Sequence, residues 1–301
     1  LNPEPKAVLC VWALAADTEA GAWHHFSGRE RWKIDRNKGA LGPLPSPAEA
    51  ALRPYTPAEQ FESDKIRRTA LVGSGAQVAD KLRALADELN TAHGITADVL
   101  TADLAAPGAG VALADRLAGR RIDVLVNNAG FGDYGPFADA DPAKVSAMVN
   151  LNIATLTDLT RALLPDMIAR GTGRVMNVAS TAAFMPGPLM AEYYASKAYV
   201  LSLSEAVANE LRGTGVTMTA LCPGPVASGF QAGADMGASK LVKGKQLMTA
   251  ERCAQLAVKG MNKGKPVVVT GAMNKMMSMS PKFMPRRMVP GVVRRAQAPK
   301  H

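Results

Sequence analysis

The sequence MNVASTAAFMPGPLMAEYYASK, which runs from Met176 to Lys197, decides the fold expected of this 301-residue chain. An apolar run ends at Ser180, as a short buried strand does. A loop rich in proline and glycine follows, and a helix then carries Tyr193 and Lys197. Side chains four residues apart lie on one face of a helix, about a turn from each other. The stretch therefore predicts a strand, a loop and a helix that present a phenol beside an amine.

These side chains predict proton-transfer chemistry. A fixed ammonium favours the ionised form of a neighbouring phenol, so we expect Lys197 to lower the pKa of Tyr193 toward neutrality. Tyr193 would then exchange a proton with a carbonyl or alcohol oxygen at physiological pH. Ser180 offers a hydroxyl to the same oxygen. The remaining sequence has to supply a hydride carrier for this site.

Around this stretch, predicted strands and helices alternate. The strands are Arg67–Val72, a segment ending near Asp103, Ile122–Val126, Arg174–Val178, Val216–Leu221 and Val267–Thr270. The helices are Gln77–Leu89, Val111–Leu117, Asp141–Arg170 with a break at Pro165, Ala191–Arg212 and Thr249–Lys263. Asp141 is the expected cap of the long helix, with Pro142 in its first turn. Fully apolar strands alternating with helices predict an α/β fold with a doubly wound parallel sheet, of the Rossmann-like kind.

The residues after each strand are the candidates for function, because ligands of such sheets bind beyond the carboxyl ends of the strands. Asn127-Asn128-Ala129-Gly130 follows one strand, Ser180 the next, and the rigid turn CPGPVAS (residues 222–228) a third. Asn152 lies in the middle of the long helix, where asparagine is unfavourable by about 0.5 kcal/mol relative to alanine. It marks either a local bend or a functional amide.

Taken in order, these motifs resemble the short-chain dehydrogenase/reductase family over about residues 67–274. The motifs that match are NNAG at 127–130, Asn152 in VNLNIATLTDLT, Ser180 in NVAS, Tyr193 and Lys197 in YYASK, and Pro223-Gly224. The resemblance implies hydride transfer between a nicotinamide and a ketone or secondary alcohol. Tyr193 would be the acid/base, and Lys197 would lower its pKa and bind the nicotinamide ribose. Ser180 would hold the substrate oxygen, and Asn152 would anchor a water.

The resemblance also implies a set of residues that line the cofactor, NADP or NAD. They are Asn127, Ala129 and Gly130, with Asp103 and Leu104 at the adenine, and Pro223, Gly224, Val226 and Ser228 near the carboxamide and phosphates, besides Tyr193 and Lys197. Ser228 stands where the family usually has threonine. The sequence does not distinguish the two nucleotides, because the residue that decides normally follows the second strand, where the pattern is disrupted.

The family's phosphate-binding motif TGxxxGxG is missing, so the first βαβ unit is expected to be incomplete. In its place stands RRTALVGSGAQVADKLRALADELN (residues 67–90). The interval from Gly73 to Asn127 is roughly 25 residues shorter than the corresponding interval in a family member, which is about the length of one helix–strand unit. Residues 69–72 then take the first strand position, with Gly73-Ser74-Gly75 as a rudimentary anion site. Alternatively they take the second position, leaving the first empty or filled by something like residues 7–15. We favour the first arrangement, because an empty slot exposes two strand edges.

The two ends of the chain differ from the middle. Residues 1–66 contain AWHHFSGRERWK and many prolines without a sustained period, which predicts an extension that is poorly ordered or loosely attached. Residues 275–301 form a basic, Met-rich segment, which the family resemblance implies covers the substrate site; the alternative is a surface helix packed on the core. Residues 239–301 hold fourteen Lys and Arg against one acid, Glu251. This charge indicates a solvated surface, or attraction to an anionic membrane or an acidic carrier.

The composition narrows the other classes of function. Three scattered cysteines, Cys10, Cys222 and Cys253, favour a reducing compartment over a disulfide framework, so we expect a cytoplasmic protein. No metal site is predicted from the four histidines, and no apolar run reaches the ~18 residues of a membrane helix. The expected partners are a small carbonyl or alcohol compound, either a small molecule or a lipid-like one, and further copies of the chain in a homo-oligomer. No nucleic-acid partner is expected.

Three functions remain open at this point. The first is an oxidoreductase of ketones or secondary alcohols, with Tyr193 as its acid/base. The second keeps the fold but binds the cofactor poorly or not at all, since the glycine motif is missing. The third is a non-enzymatic protein held at a membrane surface by its basic C-terminal end.

Overall fold

A computed structural model describes residues 7–8, 14–16, 18–37, 45–69, 72–227 and 247–297. The chain divides into two compact units. We call the first the sheet unit, which comprises Leu1–Cys10, Asp103–Ala234 and Ser239–His301. We call the second the helical unit, which comprises Val11–Ala102 and Asp235–Ala238. The boundary predicted at residue 67 lies inside a helix, and the two units separate between Ala102 and Asp103.

The elements follow in chain order. The strands are β1 (Ala7–Val8), β2 (Leu14–Ala16), β3 (Val72–Ser74), β4 (Val124–Asn127), β5 (Gly173–Val178), β6 (Val216–Cys222), β7 (Val226–Ala227), β8 (Met248–Thr249) and β9 (Val267–Val269). The helices are α1 (Glu19–Asn37), α2 (Pro47–Ala51), α3 (Pro57–Thr69), α4 (Gly75–His93), α5 (Ala109–Arg116), α6 (Pro142–Val149), α7 (Leu156–Ala169), α8 (Ala191–Glu210), α9 (Ala250–Asn262), α10 (Ala272–Met279) and α11 (Val289–Gln297). Short 3₁₀ turns occur at Phe137–Asp139, Thr181–Phe184, Ser280–Phe283 and Arg286–Met288, and a π-helical turn at Asn150–Thr155.

The sheet unit is built on a parallel sheet with the order β1-β4-β5-β6-β9. Adjacent residues of β5 point to opposite faces, as the pleat requires. Val175 packs in a cluster with Leu159 of α7, while Met176 packs with Met261 of α9. Helices therefore cover both faces of a parallel sheet, and the predicted doubly wound α/β fold is confirmed.

Local sequence patterns correctly predicted the position of most helices and strands of this unit. The Asp141 side chain accepts a hydrogen bond from Ala143 N at 2.9 Å, so the helix begins at the predicted cap. The expected break at Pro165 is wrong, because α7 continues through that residue. The irregularity lies about three to four turns earlier, in the π-helical turn, where a wider turn holds one more residue than the α-helical spacing.

Two predicted strands are wrong. Arg67–Thr69 is the last turn of α3, and β3 begins only at Val72. Residues 95–103 form no strand, and the Ala97 amide donates instead to the Asn90 side chain at 2.6 Å. An apolar stretch becomes a strand only where a partner strand satisfies its backbone groups.

The first strand position is occupied by β1. Ala7 pairs with Val124 and Val8 with Leu125. The arrangement that we favoured, with residues 69–72 in this position, is wrong. In the helical unit β3 pairs with β2 instead, and Val72 is buried against Ala22, Phe26, Ile34 and Ile66. The first βαβ unit of the sheet is thus incomplete, as the missing motif indicated.

The helical unit differs from the expected poorly ordered extension. Its described residues form α1, α2 and α3, held by buried charge pairs. Glu30 is fully buried and accepts hydrogen bonds from Arg67 Nε at 2.6 Å and Ser63 Oγ at 2.7 Å. Arg31 donates to Glu59 at 2.7 Å. Such pairs link α1 to α3 where the apolar surface is small.

Among the described residues, no helix combines the length and apolarity needed to cross a membrane. Within the same residues, no group of three or more His, Cys, Asp or Glu side chains is placed to hold a metal ion.

Candidate active site at the carboxyl edge of the sheet

The predicted site residues meet where three neighbouring strands end. Asn127 closes β4, Ser180 follows β5 by two residues, and Pro223 follows β6 directly. The strands are parallel and in register, with Asn127 beside Asn177 and Asn177 beside Ala220. The carboxyl ends therefore form one edge, and α8 returns across it.

Tyr193 and Lys197 lie on the buried face of α8. Their exposed fractions are 7% and 4%. The Lys197 ammonium lies 5.8 Å from the centroid of the Tyr193 ring and donates to the Val178 carbonyl at 2.8 Å. The amine is thereby fixed at the end of β5, next to the ring. The expected juxtaposition of the phenol and the amine is present.

Burial, rather than the neighbouring amine, dominates the ionisation of this pair. Desolvation raises the pKa of Tyr193, and its hydrogen bond with Ser180 opposes this rise without cancelling it. Desolvation also lowers the pKa of Lys197 to about 8. The expected lowering of the Tyr193 pKa is therefore wrong for this structure. At neutral pH Tyr193 keeps its proton.

Ser180 lies between the phenol and the β6 turn. Its hydroxyl accepts from Ala182 N at 3.1 Å and reaches the Pro223 carbonyl at 3.5 Å. It also makes the hydrogen bond with Tyr193. Thr181 N donates to the same Pro223 carbonyl at 2.9 Å. The hydroxyls of Ser180 and Tyr193 thus lie within hydrogen-bond distance of each other.

Asn152 fastens the β4 loop to α8 from within the π-helical turn. Its amide nitrogen donates to the Phe131 carbonyl at 2.9 Å and to Ser196 Oγ at 3.1 Å. Its oxygen accepts from Phe131 N at 3.2 Å. Both amide hydrogens are used inside the protein. The local bend is present, because the wider turn carries Asn152, and a functional role for its amide stays a prediction.

The NNAG loop is held by an inward-pointing side chain at its start and passes close to two site side chains at its end. Asn127 points inward, where its nitrogen donates to Asn177 Oδ1 at 2.8 Å and to Thr160 Oγ1 at 3.0 Å. Ala129 is half-buried at the edge. A Cβ on Gly130 would lie 3.0 Å from Asn152 Oδ1 and 3.2 Å from Lys197 Nζ. A larger residue here would require Asn152 or Lys197 to shift by a few tenths of an ångström.

The remaining predicted cofactor residues are spread around the edge. Leu104 O accepts from Thr155 Oγ1 at 2.8 Å, and the Asp103 side chain accepts from Ala105 N at 3.0 Å. Gly224 packs against the Asn274 side chain, so a larger residue would clash. Val226 pairs with Met248 between β7 and β8. Ser228 lies outside the described residues.

Three residues that the sequence did not single out join the C-terminal helix to this site. We call Tyr134, Tyr194 and Gln297 the clasp. Gln297 is fully buried on α11, and its nitrogen donates to the Tyr194 hydroxyl. Tyr134 donates to the Gln297 carbonyl at 3.0 Å. The Tyr194 ring meets that of Tyr193 edge-on, with centroids 6.1 Å apart.

A signal for the clasp existed in the sequence. Val289, Val293 and Gln297 recur every four residues, so the glutamine continues the apolar face of α11. A polar residue on such a face needs a buried partner. A Cβ on Gly187 would overlap the Tyr194 ring, which explains the glycine in the PGP turn.

The site fits one end of a nicotinamide dinucleotide and lacks the usual features for the other. At the nicotinamide end, the Lys197 amine lies 5.8 Å from the centroid of the Tyr193 ring, and Gly130, which has no side chain, lies next to that amine. The chain that follows β1, from residue 9 to residue 20, contains no glycine. The expected anion site at Gly73-Ser74-Gly75 is occupied internally, because Ser74 and Gln77 cap α4 reciprocally.

Residues 66–237, more than half of the chain, match the sequence profile described as short chain dehydrogenase. The chain belongs to the short-chain dehydrogenase family, whose members are NAD(P)-dependent oxidoreductases. The motif-based resemblance is therefore confirmed at the level of the family and of its fold.

Known relatives cover different shares of the chain. It is 38% identical to the ketoacyl reductase HetN of a Nostoc strain over 150 residues, which cover 49% of this chain and 51% of that protein. It is 30% identical to the very-long-chain 3-oxoacyl-CoA reductase of Anas platyrhynchos over 237 residues, covering 74% and 75%. The chain spans about half the length of the first curated relatives that it matches.

Solved structures agree on the fold. A short-chain dehydrogenase from Sphingobium yanoikuyae in complex with NADPH superposes with a TM-score of 0.59 at 28% identity, over 67% of this chain and 80% of that chain. A 7β-hydroxysteroid dehydrogenase superposes with a TM-score of 0.61 at 26% identity, over 71% and 82%.

Proposed function

We propose that this protein reduces ketones to secondary alcohols with NADPH or NADH, and catalyses the reverse reaction where the alcohol is supplied. The observation that carries the proposal is the convergence of Ser180, Tyr193 and Lys197 at the carboxyl edge of the sheet. A phenol and an amine that are both buried and both have shifted pKa values are typical of functional sites.

Each of these residues has a separate role in the proposed reaction. The bound nicotinamide would supply the hydride to the carbonyl carbon. Ser180 orients the carbonyl oxygen, and Tyr193 donates the phenolic proton to it as the negative charge develops. Lys197, which is protonated at neutral pH with its pKa of about 8, stabilises the resulting phenolate. Burial of Tyr193 favours the neutral phenol, so the resting site is prepared for reduction.

The residues proposed to hold the cofactor are those near the nicotinamide end. Lys197 would bind the ribose, with Ala129, Gly130 and Pro223 lining the ring. The absence of glycine after β1 removes the backbone cradle for the pyrophosphate, so we expect weak binding. NADPH is the first nucleotide to test, because the Sphingobium dehydrogenase was solved with it.

The substrate class that we propose is an apolar ketone, lipid-like in size. The ketoacyl reductase, the 3-oxoacyl-CoA reductase and the hydroxysteroid dehydrogenase among the relatives support this, since each printed name denotes chemistry on an apolar skeleton. A cytoplasmic location and assembly into homo-oligomers remain predictions for the same protein.

A second candidate function follows from the missing glycines. In it the chain keeps the fold but binds no dinucleotide. Titration of the purified protein with NADPH, followed by nicotinamide fluorescence, separates the two. Saturable binding together with NADPH oxidation in the presence of a ketone supports the reductase. No change up to millimolar NADPH would leave the second candidate.

A third candidate rests on an exposed apolar surface of the C-terminal segment. Phe283 is 83% exposed, Met273 64% and Met276 62%, and lysines and arginines are interleaved with them. Apolar side chains among cations suit the surface of an anionic membrane. Flotation with anionic and neutral liposomes tests this contact, and absence of binding to both at low salt would remove it.

A further inference from the structure

A cavity of about 710 Å³ lies beside the catalytic residues and is not used by the mechanism above. Its walls come from the loop 183–188, from one face of α8 and from the start of the C-terminal helices. Phe184, Met185, Tyr194 and Val289 make most of this wall apolar. The volume falls within the ordinary range for small-molecule sites.

The cavity adjoins the reaction centre through Tyr194. That ring lines the cavity and also meets the Tyr193 ring edge-on at 6.1 Å. The loop that forms another part of the wall begins three residues after Ser180. Ser180 and Tyr193 themselves do not line the cavity, so the longer substituent of a ketone held by them would have to pass the Tyr194 ring to enter it.

The wall is preformed. Pro186 and Pro188 fix the backbone of the loop. Leu189 has a φ of 70°, which is a strained value for a leucine, and its carbonyl accepts from Gly135 N at 2.9 Å. Strain of this kind persists where the surroundings determine the conformation, as they do at ligand sites.

Two cations break the apolar lining at one side, Lys282 and Arg286. Within the described part of the chain, neither has a carboxylate or a hydrogen-bond partner. No Asp or Glu occurs in the sequence after Glu251, so this segment supplies no acid to neutralise them. Glu192, on the first turn of α8, is not part of the lining.

We propose that this cavity binds an aliphatic chain ending in an anionic group, with Lys282 and Arg286 as the residues that recognise the charge. The proposal rests on the reductase function and specifies its substrate as an apolar oxo compound with a distal carboxylate or phosphate. The aliphatic part displaces water from the apolar wall, and the cations select the charged end.

The experiment has a binding arm that does not depend on activity. Isothermal titration calorimetry compares decanoate, decyl phosphate and decanol on the wild type and on the double variant Lys282→Ala, Arg286→Ala. We expect the wild type to bind the anions about tenfold more tightly than decanol, and the double variant to lose this preference. Whichever of the two anions binds more tightly identifies the headgroup. Lys263→Ala with Arg294→Ala, which removes the same two charges elsewhere, should keep the preference.

The kinetic arm uses 9-oxodecanoate and its methyl ester as matched ketones with NADPH. The acid should have a KM about tenfold below that of the ester, with kcat unchanged, and the double variant should equalise them. A charge preference in calorimetry without turnover refutes the reductase and keeps the cavity assignment. Turnover with equal KM values, or equal binding of decanoate and decanol, overturns the cavity assignment. So does loss of the preference in the Lys263, Arg294 control.

Discussion

Buried ionisable groups are treated in opposite ways in the two units. In the helical unit the buried charges Glu30, Arg31 and Glu59 all meet an opposite charge within hydrogen-bond distance. In the described residues of the sheet unit, the buried charged residue is Lys197, and what it binds is a neutral carbonyl. Beside it Tyr193 is buried with a serine as its hydrogen-bond partner.

The difference distinguishes buried charges that stabilise the fold from buried ionisable groups that are placed for chemistry. A paired charge recovers part of its lost hydration, so it is compatible with a purely structural role. An unpaired amine beside a phenol costs stability that the fold must supply elsewhere, and such groups concentrate at functional sites. The comparison can be tested by removing members of each set.

The largest effect is expected for Tyr193→Phe. The ring still fills its site, so the fold should be retained, but the proton donor is lost. We expect kcat for ketone reduction to fall about 10²- to 10⁴-fold. Tyr199→Phe is the matched control on the same helix, since that hydroxyl is at the surface and contacts Thr157 at 3.1 Å. A Tyr193→Phe enzyme that retained more than a tenth of its turnover would contradict the assigned donor.

In the helical unit, Arg67→Ala should remove about 3 kcal/mol from the free energy of unfolding, because it leaves the fully buried Glu30 without its cation. Urea denaturation followed by circular dichroism measures the change. Arg83→Ala, which breaks an exposed pair with Asp80, should cost less than about 1 kcal/mol. Equal effects for the two variants would mean that pairing is not what stabilises this unit.

Lys197→Met tests the unpaired amine through pH. The pKa of Lys197 is lowered to about 8 in the folded protein from an ordinary value of 10.5. Between these values the unfolded chain binds the extra proton, so the wild type gains stability as the pH rises from 8 to 10.5. Relative to Lys197→Met, that gain should be about 3 kcal/mol.

Urea denaturation of the wild type and Lys197→Met at several pH values measures this difference. It should be constant below the window and constant again above it. A difference that does not vary with pH would show that Lys197 is hydrated in solution and not desolvated by its site.

The smallest effect concerns the clasp. Gln297→Leu removes the hydrogen bond to Tyr194 together with a buried amide oxygen that has no partner among the described residues. These two changes oppose each other, so we expect a loss of only about 1 kcal/mol. Thermal denaturation measures it, with Gln255→Leu, on the exposed face of α9, as the matched control. A loss above about 3 kcal/mol would show that the clasp holds the site together.

Much of this site could be predicted because it lies in long, regular elements. The stretch from Met176 to Lys197 combined a buried strand with a helix spacing, so Ser180, Tyr193 and Lys197 were brought together as expected. Asp141 and Pro142 fixed the start of α6 by local chemistry alone. In each case the signal and the structure involve the same few residues.

The rest depended on distant partners. β1 has two residues, too few to show a period, and its position is determined by pairing with β4. The pKa of Tyr193 depends on how deeply α8 is buried. The four-residue spacing between Tyr193 and Lys197 carries no information about that burial. Gln297 finds Tyr194 over a separation of 103 residues. The π-helical turn lies at Asn152, where a local bend was one of two alternatives, whereas the break predicted at Pro165 is wrong.

The π-helical turn between α6 and α7 also fixes the phase of the whole helical segment. Successive residues of an α-helix are rotated by roughly 100°. The wider turn at Asn150–Thr155 takes up one extra residue, so α6 and α7 keep the phase that a regular helix one residue shorter would give them. A further residue inserted into α7, outside this turn, should instead rotate α6 by about 100° relative to the rest of α7.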